Sequence, residues 1–221
     1  MNVADFIALF RQETGDTEEA YLWSDEEIVG YLNESANDAA ERAFLIEDST
    51  TADCCEITLV AGTNTYDLHG SVIRVKRATL AGKPMRLSSI EEMDDTGASW
   101  ETMEGTPHTF IVNGQVTSVR VVPTPTAAGT LRLTVYRTPL ELLTVDFDTA
   151  EPELKPIYHR RLLDGMLMHA YRKHDADAKD EKLAMEHEAR FTRAFGTRPD
   201  ANVQRKRADR RPPVVAFNRG W

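Results

Sequence analysis

Cysteine is scarce in this chain of 221 residues, which has only two, Cys54 and Cys55, side by side. Adjacent cysteines rarely bridge each other, and a lone pair of neighbours lacks the spacing of a zinc ligand set. They are expected to be small, partly buried thiols in a reducing compartment. Long apolar runs are missing as well, and none approaches the ~20 residues that span a bilayer. The opening "MNVADFIALF" has no basic start and no long apolar stretch, so no signal peptide and no membrane partner are expected. No glycine-rich phosphate loop follows a strand pattern, and no Gly-x-Ser-x-Gly elbow occurs.

The remaining candidates for chemistry are weak. "DADAKDE" matches a calcium loop at two positions only, because Lys179 and Asp180 stand where Asp or Asn and then Gly are needed. His169, His174 and His187 do not follow the His-Glu-x-x-His pattern of a zinc helix. The sequon at Asn33 carries no weight without a secretory signal. Glu91–Glu92 and Asp94–Asp95 sit on a short polar segment and read as solvated acids. The chain is therefore expected to be no enzyme, with no catalytic residue, cofactor or metal ligand.

What the chain does have is charge divided by sign. Its formal net charge is −10. From Arg198 to the end there are seven basic residues and two acidic ones, giving +5 and leaving −15 on the rest. An acidic body with a basic extension points to an interaction arm. Apolar residues make up 41% and charged residues 28%, ordinary globular values, so the body can bury a core without disulfide staples.

Periodicity divides the body. Val3, Phe6, Ile7 and Phe10 share one helical face. Ser24 followed by Glu27 is a capping box, flanked by Trp23 and Ile28 as a hydrophobic staple. It predicts a helix from Asp25 to Ile46 with Leu32, Ala36, Ala39 and Ala43 on its inner stripe. From 56 to 137 the period shifts to that of strands, about six of them. "SVIRVKRATL" and "TLRLTVYRTP" alternate, and Leu131, Leu133 and Val135 share a face. "TFIVNGQVTSVRVVP" reads as a hairpin on an Asn-Gly turn. "IEEMDDTGASW" suggests a short helix ending near Gly97. Helical spacing then returns: Pro156 suits a first turn, and Leu162, Leu163, Met166 and Leu167 form a stripe. Asp177 is a plausible N-cap for a last helix carrying Ala184, Phe191 and Phe195, with Gly196 as its stop.

The expected fold class is α+β: a four-helix bundle made by N- and C-terminal helix pairs, with an inserted antiparallel β-sandwich or barrel lobe and an extended C-terminal arm. The expected divisions are helices over 1–50, the β lobe over 51–145, the second helix pair over 150–196 and the arm over 197–221.

Three ordered stretches resemble a known family. "YLWSDEEIVGYLNESANDAAERA" looks like the opening helix of tailed-bacteriophage head-to-tail adaptor (connector) proteins. "GTPHTFIVNGQVTSVRVVPTP" is similar to their middle motif, a Gly-x-Pro before a strand and a hairpin returning into Pro-x-Pro. "LKPIYHRRLLDGMLMHAYRKHDADAKDEKLAMEHEARFTRAFG" resembles their closing helix pair. The resemblance implies a structural virion protein of the neck, between capsid portal and tail, assembled in the host cytoplasm. It implies a homo-oligomeric ring, usually of twelve copies, below the portal protein. Such a ring offers a platform to a tail or nozzle protein and helps retain packaged DNA, which passes its lumen without sequence-specific binding.

The same resemblance assigns portal docking to the C-terminal arm, and the residues there suit it. Arg205, Lys206, Arg207, Arg210 and Arg211 supply charge, the arginines as planar donors for carboxylates. Pro212 and Pro213 stiffen the chain and lower the entropy lost on docking. Val214, Val215, Phe217 and Trp221 are apolar anchors. Two other readings stay open: another phage tail or hub module, and a nucleic-acid-binding protein that uses the basic tail, against which the acidic body argues.

Overall fold

The computed structural model describes residues 1–96, 99–113, 115–175 and 178–200. Helix α1 covers Val3–Thr14 and is closed by a capping box in which the Asn2 side chain accepts from the Asp5 N–H. Helix α2, Asp25–Ala43, starts at the expected Ser24–Glu27 box. It stops three residues earlier than its pattern suggests, because Phe44 turns left-handed at φ 50°. Ile46 therefore belongs to strand β1 (Ile46–Asp48), and its side chain is still buried.

The middle of the chain is a succession of short elements. Helix α3 (Ala52–Cys55) is followed by strands β2 (Glu56–Leu59), β3 (Thr65–Asp67), β4 (Val72–Leu80), β5 (Lys83–Pro84) and β6 (Arg86–Ser88). Helix α4 (Ile90–Asp94) precedes β7 (Glu104–Gly105), β8 (Thr109–Val112), β9 (Ser118–Val122), β10 (Thr124–Pro125) and β11 (Gly129–Arg137). Helices α5 (Pro156–Ala170) and α6 (Glu181–Phe195) close the described fold.

By contacts the chain divides into two compact units. One comprises Met1–Ile46 with Arg137–Arg198, the other Glu47–Tyr136 with Pro199 and Asp200. In the second unit β1 and β2 both pair with β11, which pairs in turn with β4 and through it β5. A second sheet runs β3-β9-β8-β6, and β7 pairs with β10. Leu131, Leu133 and Val135 of β11 alternate into the core as the pattern requires. Strand β4 does not alternate: it buries Val72, Val75 and Ala78, so its inward face changes along its length.

These elements correct the expected architecture. The fold is mixed α+β, yet it is not a four-helix bundle carrying an antiparallel sandwich. Among the described residues there are six α-helices, and the strands curl as an antiparallel half-barrel with two parallel pairs, β6–β8 and β7–β10. The strands also outnumber the six expected, since eleven are present among the described residues. The reason is length. Only β4 and β11 reach nine residues, and most other strands have two to four, too few to stack as two full layers. The Asn-Gly turn is likewise replaced by something longer. Asn113 still pairs with Ser118 through its N–H, leaving a four-residue loop closed by Asn113 Oδ1 accepting from the Thr117 N–H. Gly114 lies outside the described residues, as do Gly97 and the expected cap Asp177. The cap of α6 is Asp180, whose carboxylate accepts from the N–H groups of Lys182 and Leu183.

In the first unit, α5 lies against both α2 and α6, while α1 packs on α2 and α5. Phe6, Phe10, Leu32, Leu162, Met166 and Phe191 are fully buried there. Trp23 stands edge-on to Phe10 and Tyr171, with ring centroids 5.5 and 6.3 Å away. The tightest point is Gly165. A Cβ at that position would lie 2.6 Å from Ser35 Oγ of α2 and 2.8 Å from Phe191 Cε2 of α6. Gly165→Ala is expected to destabilise the protein by about 1–3 kcal/mol through overpacking, read as a lower urea midpoint with unchanged m-value. A midpoint equal to or above wild type would mean that the helices separate without cost.

Candidate functional site: the root of the C-terminal arm

The arm residues singled out above, Arg205, Lys206, Arg207, Arg210, Arg211, Pro212, Pro213, Val214, Val215, Phe217 and Trp221, lie outside the described residues. The structure does describe the place they start from. Helix α6 ends at Gly196, with φ 88°, whose N–H donates to the Thr192 carbonyl at 2.8 Å. Beside this end stands Arg42, on the last turn of α2, its side chain 6% exposed. Its Nε and Nη2 donate to the two oxygens of Asp38, at 3.0 and 2.7 Å. Nη1 donates across to Thr192 Oγ1 at 3.1 Å and to the Gly196 carbonyl at 3.2 Å. The guanidinium carbon lies 5.0 Å from the centre of the Phe191 ring. Two residues further on, Arg198 returns to Asp38, its Nε 3.4 Å from Oδ1.

The Asp38–Arg42 pair is a bidentate ion pair at the i, i+4 spacing that places side chains on one helix face. Taking both groups out of water is costly, and the cost is offset here because four guanidinium N–H groups find acceptors. A neighbouring layer continues the site along α2. His169 of α5 stacks on Tyr31 at 6.3 Å, and its Nδ1 is 3.2 Å from Glu34 Oε2. Burial pushes the His169 ring below the ordinary histidine value of 6.5. Glu34 and Asp38 act in the raising direction, Arg172 and Arg198 in the lowering one. The approach of Glu34 favours a charged ring, but that carboxylate is largely exposed and water screens it, so burial prevails.

Several of the other candidates have structural partners. His187 and His169 are not brought together: His187 Nδ1 is 2.9 Å from Asp164 and stacks on Tyr171. His159 is buried with its Nε2–H donating to the Leu154 carbonyl at 2.8 Å. Of the acids read as merely solvated, Asp94 accepts from Trp100 Nε1–H at 2.8 Å and Glu92 accepts from Ser88 Oγ–H. The one set of potential metal ligands among the described residues is Asp48, Cys54 and Cys55, all buried, with the two sulfurs 3.6 Å apart. Asp48 already accepts from the backbone N–H groups of Thr50 and Thr51 and from both their hydroxyls. Burial, then the Cys54 thiol, pushes Cys55 up to about 12, so both groups suit a capped turn with packed thiols better than a thiolate site.

In this mixed α+β fold, Asp38, Arg42 and Arg198 form a closely bonded polar cluster at the end of α6, where the basic tail begins. The comparison with protein families defines the class: a model described as SU10 adaptor protein matches residues 1–216. The chain belongs to this family of phage head-to-tail adaptors. No curated protein matches it. Among the described residues no helix is long and apolar enough to cross a membrane.

The cluster of Asp38, Arg42 and Arg198 was not singled out from the sequence. Its one local signal is the Asp-x-x-x-Arg spacing within "NDAAER", on a stripe otherwise made of alanines. The lowered His169 has a consequence for stability. A ring that protonates less readily folded than unfolded leaves the unfolded chain binding more protons as pH falls below 6.5. Stability from this group is therefore present at neutral pH and lost on acidification. The urea midpoint is expected to fall between about pH 7.5 and about pH 5.5, and to fall less in His169→Gln. Equal falls in both proteins would place the effect on other groups.

Proposed function

We propose that the protein forms a ring beneath the portal of the capsid, docks to the portal protein by its C-terminal arm, and presents a platform to the tail or nozzle protein. In this reading the ring helps retain the packaged DNA, which passes through the lumen without sequence-specific contacts. It sits in the virion neck and is assembled in the host cytoplasm. The observation that carries the proposal is the adaptor-family match over residues 1–216, which takes in most of the basic tail as well as the folded body. The tail's order of chemistry supports it: a basic run, Pro212–Pro213, then Val214, Val215, Phe217 and Trp221. A neutraliser of phosphate needs only the first part. A segment that inserts into a protein groove uses the stiff joint and the apolar end. One arm binds weakly, but arms linked in a ring gain avidity of about 10²–10⁴.

Two outcomes test this reading. A chain cut after Gly196 is expected to keep its helical circular dichroism and to lose capture of the portal protein of the same phage; retained tight capture would remove the arm from the account. Joint replacement Phe217→Ala with Trp221→Ala is expected to weaken docking more than Lys206→Ala does. Equal losses would mean a diffuse electrostatic tether, and tight, steeply salt-dependent gel shifts by the body alone would favour the nucleic-acid reading.

A further inference from the structure

A closely bonded polar cluster of the helical unit lies at the point where the arm begins. Arg42 is almost fully buried, and its contacts are not confined to α2. Two of its donors are committed to Asp38 and the third group reaches across to α6, where it bonds Thr192 and the carbonyl of Gly196. That carbonyl belongs to the residue that ends the helix, one of the groups a helix terminus leaves without an internal partner. A left-handed glycine end would otherwise leave the chain free to depart in several directions. Arg198 then pairs with the same carboxylate that orients Arg42. Two successive tethers, at 196 and at 198, thus bind the first residues after α6 back to α2, in a stretch that buries no large apolar side chain of its own.

We infer that Asp38 and Arg42 are positioning residues for the arm: together with Arg198 they set where and in which direction the chain leaves the helical unit, so that the arm meets its partner pre-aimed. This rests on the docking role proposed above and adds a part to it. Pre-aiming matters because docking otherwise has to order the root as well as the arm, and ordering each side chain and linker residue reduces affinity. It also gives a path for force, since a pull on the arm is received by α2 through a bidentate charge pair and by α6 through its last carbonyl.

Three full-length variants separate this inference from its parent. Arg198→Ala changes a side chain that is 70% exposed, so folding is not at stake. Arg42→Gln removes the charge and the bidentate pairing, and Arg42→Lys keeps the charge without the fork. Hydrogen exchange read by mass spectrometry is expected to rise at residues 194–200 in Arg198→Ala and more in Arg42→Gln, with exchange in α2 and α5 unchanged in Arg198→Ala. Portal capture is expected to weaken about three- to ten-fold in Arg198→Ala, the size of ordering one or two residues. Arg42→Lys should not restore it to wild type. If the chain cut after Gly196 fails to bind while Arg198→Ala binds as wild type with unchanged exchange at 194–200, the arm docks but is not pre-aimed, and this inference fails alone. If the cut chain binds as wild type, the docking role fails and takes the inference with it.

Discussion

Helix α5 is held between α2 and α6, and what permits this is the absence of a side chain at position 165. Ser35 comes in from one flank and Phe191 from the other, both closer to the glycine than a Cβ would allow. The rest of the helical unit follows from that approach. Phe191, drawn in against α5, is fully buried, and Phe195 one turn on packs against it at 4.8 Å. The small residues of α2, Ala36, Ala39 and Ala40, are buried on the same account, because larger ones would hold the helices apart. Arg42 in turn stands over Phe191, and it can reach Gly196 only while α6 lies this close.

Close helix packing and the arm's root are therefore one construction. A buried charged pair is a poor way to gain stability, since burial of similar apolar volume would do as well or better. What it supplies is direction: hydrogen bonds of fixed length to a particular carbonyl at a particular helix end. That suits an adaptor, whose work is to place one surface against another. The acidic body fits the same purpose. With −15 on the body and +5 on the tail, the chain as a whole repels nucleic acid, and its net positive charge is confined to the tail.

Local patterns in the chain carried much of the fold. The Ser24–Glu27 box, Pro156 at the start of α5 and Gly196 at the end of α6 all stand where the sequence indicates, because capping chemistry involves residues within one turn of each other. The alternation of Leu131, Leu133 and Val135 survived for the same reason. Features that depend on partners distant in the chain did not. The end of α2 moved because Phe44 takes up a left-handed conformation that no local rule favours. The Asn-Gly hairpin lengthened because Asn113 uses its side chain to close a wider loop. The acids around residues 92–94 have tryptophan, serine and arginine partners that no spacing advertises.

The sequence by itself determined the longer helices, the main strands, the division of charge and the chemistry of the tail, all properties of residues near one another in the chain. Through the order of its motifs it also pointed to the adaptor family to which the chain belongs. Only the tertiary structure decided how the pieces combine: a curled half-barrel with parallel pairs in place of a sandwich, and helices gathered about α5 in place of a four-helix bundle. It alone joined Asp38 and Arg42 to residues 192–198, more than 150 positions away for Gly196. The physical reason is common to both. Strand pairing and buried charge pairing are settled by which surfaces can approach, and approach is a matter of side-chain volume at points such as Gly165 that no periodicity records.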